Sequence, residues 1–349
     1  MSYLNFSLLK KKSFLFLLAS GIMFTSISWT NSTSNNYHRD RQKDNEVLLF
    51  SKSFNTKDIK NVTVSTTGGS ITLAGDATGS ASVEVSGQGN NGRKLSKDEI
   101  LEILKNDYEF LVGVENGTLK AIVKRKVSGA RKRAVSISFN IHVGKYTSTD
   151  LETSGGNIWL STLQGTQSFT TSGGNIHFEN LSGNISGRTS GGNITALSSK
   201  GKIQANTSGG SIDIQDLNGD IVMHTSGGNI NAQNVSGALG LTTNGGNLTL
   251  SNIAAKVYGG TSGGSVHASL SKLKQEVELF TSGGSINITI PKIAKANFVL
   301  DGSRVSVGAA NNIQVDMNKQ KSFAAGSLNN GGVHLKAHSS GGSVSLDFK

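Results

Sequence analysis

The chain has 349 residues, a net charge of +11, 44 glycines, one proline, no cysteine and 6% aromatic residues. The lack of cysteine excludes disulfides, thiolate metal sites and a lipid-bearing cysteine. Glycine without proline, set among regularly spaced apolar residues, excludes a Pro/Gly-rich disordered chain.

Lys10, Lys11 and Lys12 form a basic start, residues 13–27 are an apolar stretch, and Ser26 and Ser28 are small residues ahead of Trp29. This order predicts a signal peptide over residues 1–28 and export to the periplasm, the cell surface or the medium. The apolar stretch is short for a membrane span, which needs about 20 residues. Membrane contact is expected only through an uncleaved leader. The polar residues 29–50 read as a flexible linker.

Residues 51–150 read as an entry and capping module. The segment from Val62 to Gly75 (VTVSTTGGSITLAG) is an early copy of a repeat that dominates the rest of the chain. Ser96 and Glu99 are spaced as a capping box before Ile100, Leu101, Ile103 and Leu104, which predicts a short helix over residues 97–107. Two strands follow, one near Leu119–Val123 and one carrying Val135, Ile137, Phe139, Ile141 and Val143 on one face. Between them lie Lys124, Arg125, Lys126, Arg131, Lys132 and Arg133. They are read as a solvated hairpin loop, and they are also the candidate contact for an anionic envelope polymer or lipid headgroups.

Over residues 151–290 the string TSGGNI, or a close variant, starts at Thr153, Thr171, Thr189, Thr207, Thr225, Thr243 and Thr261, always 18 residues apart. An eighth copy starts at Thr281 after a step of 20. Such a period marks stacked structural units. Within each unit apolar residues alternate with polar ones, as at Ile176 and Phe178 or Ile212 and Ile214, which is the period of a strand. One unit has too little apolar surface to bury alone, and a stack buries a continuous column. The fold class expected is therefore all-β, a parallel β-solenoid with 18-residue coils and one short helix inserted in the N-terminal cap. Two near-equal halves favour a flattened, two-sheet coil. Each coil advances by ~4.8 Å, so eight coils span about 40 Å.

The corners are assigned to Gly155, Gly156 and Asn157, to Gly173, Gly174 and Asn175, and to Gly191, Gly192 and Asn193. Glycine is expected there to supply a positive φ, so that Gly191→Val destabilises the stack. The Asn or Ser after each pair is expected to form a hydrogen-bonded ladder, with the Thr residues as a second column. Residues 291–349 loosen the period and end on Gly331-Gly332 and Gly341-Gly342, read as the last coils and a terminal cap.

The TSGGNI and TSGGSI copies, the early TTGGSITLAG and the closing SSGGSVSLDF resemble the bacterial "putative adhesin" β-strand-repeat family over residues 50–349. The resemblance implies an exported solenoid of unknown biochemical activity, and it supplies no catalytic or binding residue.

Chemistry-bearing patterns are sparse. A nine-residue calcium roll needs a recurring Asp after the glycines, where this chain has Asn or Ser. Asp213, Asp216 and Asp220 share one coil, but turns separate them. His177 and His267 share a repeat position five coils apart, too far to hold one metal. Residues 150–290 carry 6 basic and 8 acidic residues, which argues against a nucleic-acid-binding rod. The expectation is no cofactor, no metal, no nucleic acid and no enzymatic activity, with an envelope glycan or another surface protein as partner. The alternatives are an envelope polysaccharide-processing enzyme of β-helical fold, and an envelope-stress or assembly factor working through the basic module.

Overall fold

The computed structural model describes residues 46–90, 93–126 and 134–349. The leader, most of the linker, and Arg131, Lys132 and Arg133 lie outside the described residues. The fold is all-β with one short helix and mixed strand pairing.

In the regular region each unit makes one long and one short strand, as in Gln164–Thr171 followed by Ile176–Glu179. Long strands pair only with long strands and short only with short, in parallel. Phe169 lies opposite Leu151 and Gly187, and Ile176 lies opposite Ile158 and Ile194. The sequence period is thus the pairing register, and like stacks on like. Ile158, Ile176, Ile194, Ile212 and Ile230 form one inward column, each at most 1% exposed. The facing column varies in size from coil to coil, through Leu151, Phe169, Gly187, Ala205, Met223 and Leu241. Gly187 stands where an apolar residue belongs because the Phe169 ring covers it, and a Cβ there would strike that ring. This is the large-against-small matching that dense packing requires. The step of 20 has a local cause: residues 271–276 lengthen one turn, and Leu273 is buried beneath it.

The two corners of each coil work differently, and the expected role of the Gly-Gly pair is corrected. Neither Gly191 nor Gly192 has a φ in the left-handed region. The second glycine is required by close approach instead. A Cβ on Gly192 would lie well inside the van der Waals radius of the Gly174 carbonyl oxygen, and Gly174 stands in the same relation to Gly156. At Gly191 the nearest atom to an added Cβ is 3.7 Å away, an ordinary contact. The threonine that opens the motif is buried and ties coils together. Thr189 Oγ1 donates to the Gly174 carbonyl at 2.8 Å and accepts from the Gly192 N–H at 3.2 Å. The Asn ladder is present: the Asn175 N–H donates to Asn157 Oδ1, and the Asn193 N–H to Asn175 Oδ1, both at 2.8 Å.

The left-handed residues other than glycine sit at the opposite corner. They are Thr162, Asn180, Ser198, Asp216, Asn234 and Asn252, with φ between 46° and 59°. Asn and Asp tolerate this region, whereas a β-branched residue is strained in it. Thr162→Asn is therefore expected to stabilise the chain by roughly 1 kcal/mol. It also places an amide beside Asn180, as Asn234 Nδ2 lies beside Asp216 Oδ1 at 2.8 Å. An unchanged melting midpoint would overturn this.

The ends depart from a uniform parallel solenoid, and this corrects the expected architecture. The early copy, Asn61–Thr66 and Ile71–Ala74, does stack directly on the coil of Thr153. Its other side is covered by Thr118–Arg125 and Val135–His142, again in parallel. These two strands lie in different stacks and do not pair with each other, and residues 127–133 between them, where a hairpin loop is expected, lie outside the described residues. Beyond them pairing turns antiparallel. Tyr108–Glu115 folds back on Thr118–Arg125 through Asn116-Gly117, both at positive φ, and Ser80–Gly89 pairs Val135–His142 and Val47–Asn55.

The helix forms at Lys97–Asp107, as its capping box predicts, with Ile100 and Leu104 buried against these end strands. The Ser96 backbone N–H, then the Ser96 hydroxyl hydrogen bond, hold the Glu99 carboxyl below its ordinary range. The C-terminal end is built the same way. Val333–Ser339 and Ser343–Phe348 stack on the coil of Thr281. The earlier strands Ala296–Asp301 and Arg304–Val307 lie outside them, followed by the antiparallel Phe323–Leu328 and Ile313–Met317. Gly341-Gly342 is thus a true corner within the stack. At each end the cap is an excursion of the chain, and antiparallel pairing closes the stack with edges unlike its interior.

Candidate functional site

Two outer faces are available for recognition. On the short-strand face every coil shows three outward positions: the ladder Asn or Ser, a central residue and an outer residue. The central column reads Thr72, Trp159, His177, Thr195, Asp213, Asn231 and Thr249 in register. Three shallow depressions of about 300–390 Å³ run along this face. The first and second share Asn157, and the second and third share Thr195, so they adjoin as one groove. Among the described residues no Lys or Arg lines it.

The middle depression has the most distinctive chemistry. Trp159 and His177, one coil apart, stack with ring centroids 4.6 Å apart and planes tilted by 39°. Asn157, Asn175 and Asn193 flank them along the corner. Each Oδ1 of these amides accepts the backbone N–H of the next coil at 2.8 Å, which fixes its orientation. On the other flank, Glu179 Oε2 stands 3.9 Å from His177 Nε2.

The acidic residues of one coil face three ways. Asp213 is on the groove and accepts from Asn231 Nδ2 at 2.8 Å. Asp216 is in the left-handed corner, and Asp220 is on the long-strand face. The fold thus separates them, as the intervening turns predict. His177 and His267 fall in one column but five coils apart, and among the described residues no cluster of His, Asp or Glu is arranged to hold a metal.

The basic candidates lie elsewhere. Lys124, Arg125 and Lys126 are at the end of a long strand in the N-terminal cap, away from the groove. Arg125 packs over the Tyr108 ring at 6.0 Å, and Lys126 Nζ donates to the Lys105 carbonyl at 2.9 Å, beside the helix C-terminus. Both therefore have structural contacts, and Lys124 and Lys126 are exposed. The corner residues Gly155, Gly156, Gly173, Gly174, Gly191 and Gly192 build the stack; Gly155 and Gly156 also line the first depression, and Asn157, Asn175 and Asn193 border the middle one. The Trp159–His177 pair was readable in principle, since the two residues are 18 apart.

No family model matches the chain, and no curated protein does. Two solved structures are similar to it. One is a putative cell adhesion protein from Clostridium sporogenes, 10% identical, covering 87% of this chain and 99% of that one, with a TM-score of 0.21. The other is a putative adhesin from Bacteroides fragilis, 14% identical, covering 86% of this chain and 96% of that one, with a TM-score of 0.30. At these scores neither likeness carries an argument about this chain, and the functional reading rests on the groove.

Proposed function

We propose that the chain is an exported, non-enzymatic β-solenoid of the bacterial cell envelope, an adhesin or scaffold that presents its repeated polar face to carbohydrate or to another surface protein. The observation that carries this reading is the groove on the short-strand face. It is shallow, several coils long, and lined by amides, hydroxyls and two aromatic rings in fixed positions. Such a surface suits an extended partner held by many weak contacts rather than a small substrate enclosed in a pocket. The leader-like N-terminus and the family resemblance support export.

The reading is tested by screening the full chain against immobilised glycans and envelope polymers, with product analysis of every polymer that binds. Retention without cleavage is the expected result. Release of shortened polymer would overturn the non-enzymatic reading in favour of a polysaccharide-processing enzyme. Failure to retain any glycan or surface protein would overturn the adhesin reading itself.

A further inference from the structure

The geometry points to the depression around Trp159 and His177 as a subsite for a sugar ring of a neutral, extended polysaccharide. The inference rests on the adhesive reading and names its ligand class and its place. Four features support it. First, the stacked rings of Trp159 and His177 form an apolar surface set into an otherwise polar face. The C–H faces of a pyranose pack against aromatic rings of this kind. Second, the amides beside the rings have a known orientation. Because Oδ1 of Asn157, Asn175 and Asn193 is used by the next coil, Nδ2 must be the group turned to the groove. No hydrogen bond takes these Nδ2 groups among the described residues. The result is a row of donors spaced ~4.8 Å apart, one per coil, suited to hydroxyl oxygens that recur along a chain.

Third, the opposite flank supplies an acceptor. Glu179 stands on the far side of His177, and sugar hydroxyls donate as readily as they accept. Fourth, charge decides the class of sugar. Among the described residues the groove is lined by Glu46 and Asp213 and by no Lys or Arg, so an acidic polymer would meet like charge there. The groove continues on both sides of the subsite, through Asn157 and Thr195, so neighbouring sugars of an extended chain have somewhere to lie.

The experiment uses the full chain carrying Trp29→Phe, which leaves Trp159 as the only tryptophan. It is titrated with hexasaccharides of β-1,4-glucan, β-1,4-mannan and α-1,4-glucan, and with a hexamer of galacturonate as the anionic counterpart. Saturable change of Trp159 emission with at least one neutral hexamer is expected, with weaker or no change for the galacturonate. Calorimetry on variants then locates the site.

Trp159→Thr gives the column the residue it already has at Thr72 and Thr195, and should weaken binding about tenfold or more. Asn175→Asp keeps the Oδ1 that the ladder needs but removes the donor, and should weaken binding by about tenfold. Asn247→Asp makes the same change in the same ladder, where Asn247 Oδ1 accepts from the Ser265 N–H, but four coils away. It should leave affinity within about twofold. Wild-type affinity in both Trp159→Thr and Asn175→Asp would overturn the subsite while leaving the adhesive reading intact. Equal losses in Asn175→Asp and Asn247→Asp, tighter binding of the galacturonate, or no response to any neutral hexamer would also overturn it.

Discussion

Gly192→Ala is expected to destabilise the chain by about 3 kcal/mol or more, whereas Gly191→Ala costs less than about 1 kcal/mol. The two glycines are adjacent in every corner and look equivalent in sequence. What separates them is room. The Cβ of an alanine at 192 would overlap the carbonyl oxygen of Gly174, and backbone cannot rotate aside as a side chain can. That carbonyl also accepts from Thr189 Oγ1, and the Gly192 carbonyl accepts from Thr207 Oγ1 at 2.7 Å. Relieving the overlap therefore loosens bonds between three successive coils. At 191 the nearest atom is the Gly173 carbonyl oxygen at 3.7 Å, and a methyl group fits. Each variant is measured by chemical denaturation, with hydrogen exchange of the flanking coils, because a stack of repeats need not unfold in one step. Equal destabilisation by the two substitutions would sink the close-approach account.

The same corner shows why the regular coils were legible in the sequence and their detail was not. In-register stacking forces each position to face its own copy, so the period of 18 survives in the chain and reveals strands, inward columns and the Asn ladder. A glycine has two distinct uses, positive φ and absence of a Cβ, and sequence does not separate them. At Gly156, Gly174 and Gly192 the use is the second, and their neighbours Gly155, Gly173 and Gly191 need neither. The first belongs to the recurring Gly165, Gly183, Gly201, Gly219 and Gly237, which follow the left-handed Thr162, Asn180, Ser198, Asp216 and Asn234 by three residues.

The helix was legible because its capping box is local: Ser96 and Glu99 are three residues apart. The caps were not, because their strands stack out of chain order, with Val333–Ser339 inside Ala296–Asp301. Only Asn116-Gly117, a strong hairpin signal, announced antiparallel pairing at the N-terminal end. For the groove, Trp159 and His177 can be found by counting 18. The direction of each amide depends on which backbone N–H it meets, and that is a property of the stack.

Thr207→Val is expected to cost about 3 kcal/mol, and Thr207→Ser under about 1 kcal/mol. Valine matches threonine in shape, so packing is kept and only the hydroxyl is lost. Thr207 is buried, and its Oγ1 donates to the Gly192 carbonyl at 2.7 Å and accepts from the Gly210 N–H at 3.3 Å. Removing it leaves a donor and an acceptor of the backbone without partners inside the stack, at about 1–3 kcal/mol each. Serine keeps both bonds, and the chain already uses it this way. Ser339 Oγ donates to the Gly284 carbonyl at 2.6 Å and accepts from the Gly342 N–H at 2.8 Å.

The contrast with the groove is what makes the substitution informative. If the TSGG motif served recognition, Thr207→Val would alter binding and spare stability. The burial of the threonine column requires the reverse: a lower denaturation midpoint, faster exchange of the Gly210 amide, and glycan affinity unchanged in the molecules that remain folded. A stable Thr207→Val chain with normal Gly210 protection would refute the assignment of these threonines as the ties between coils.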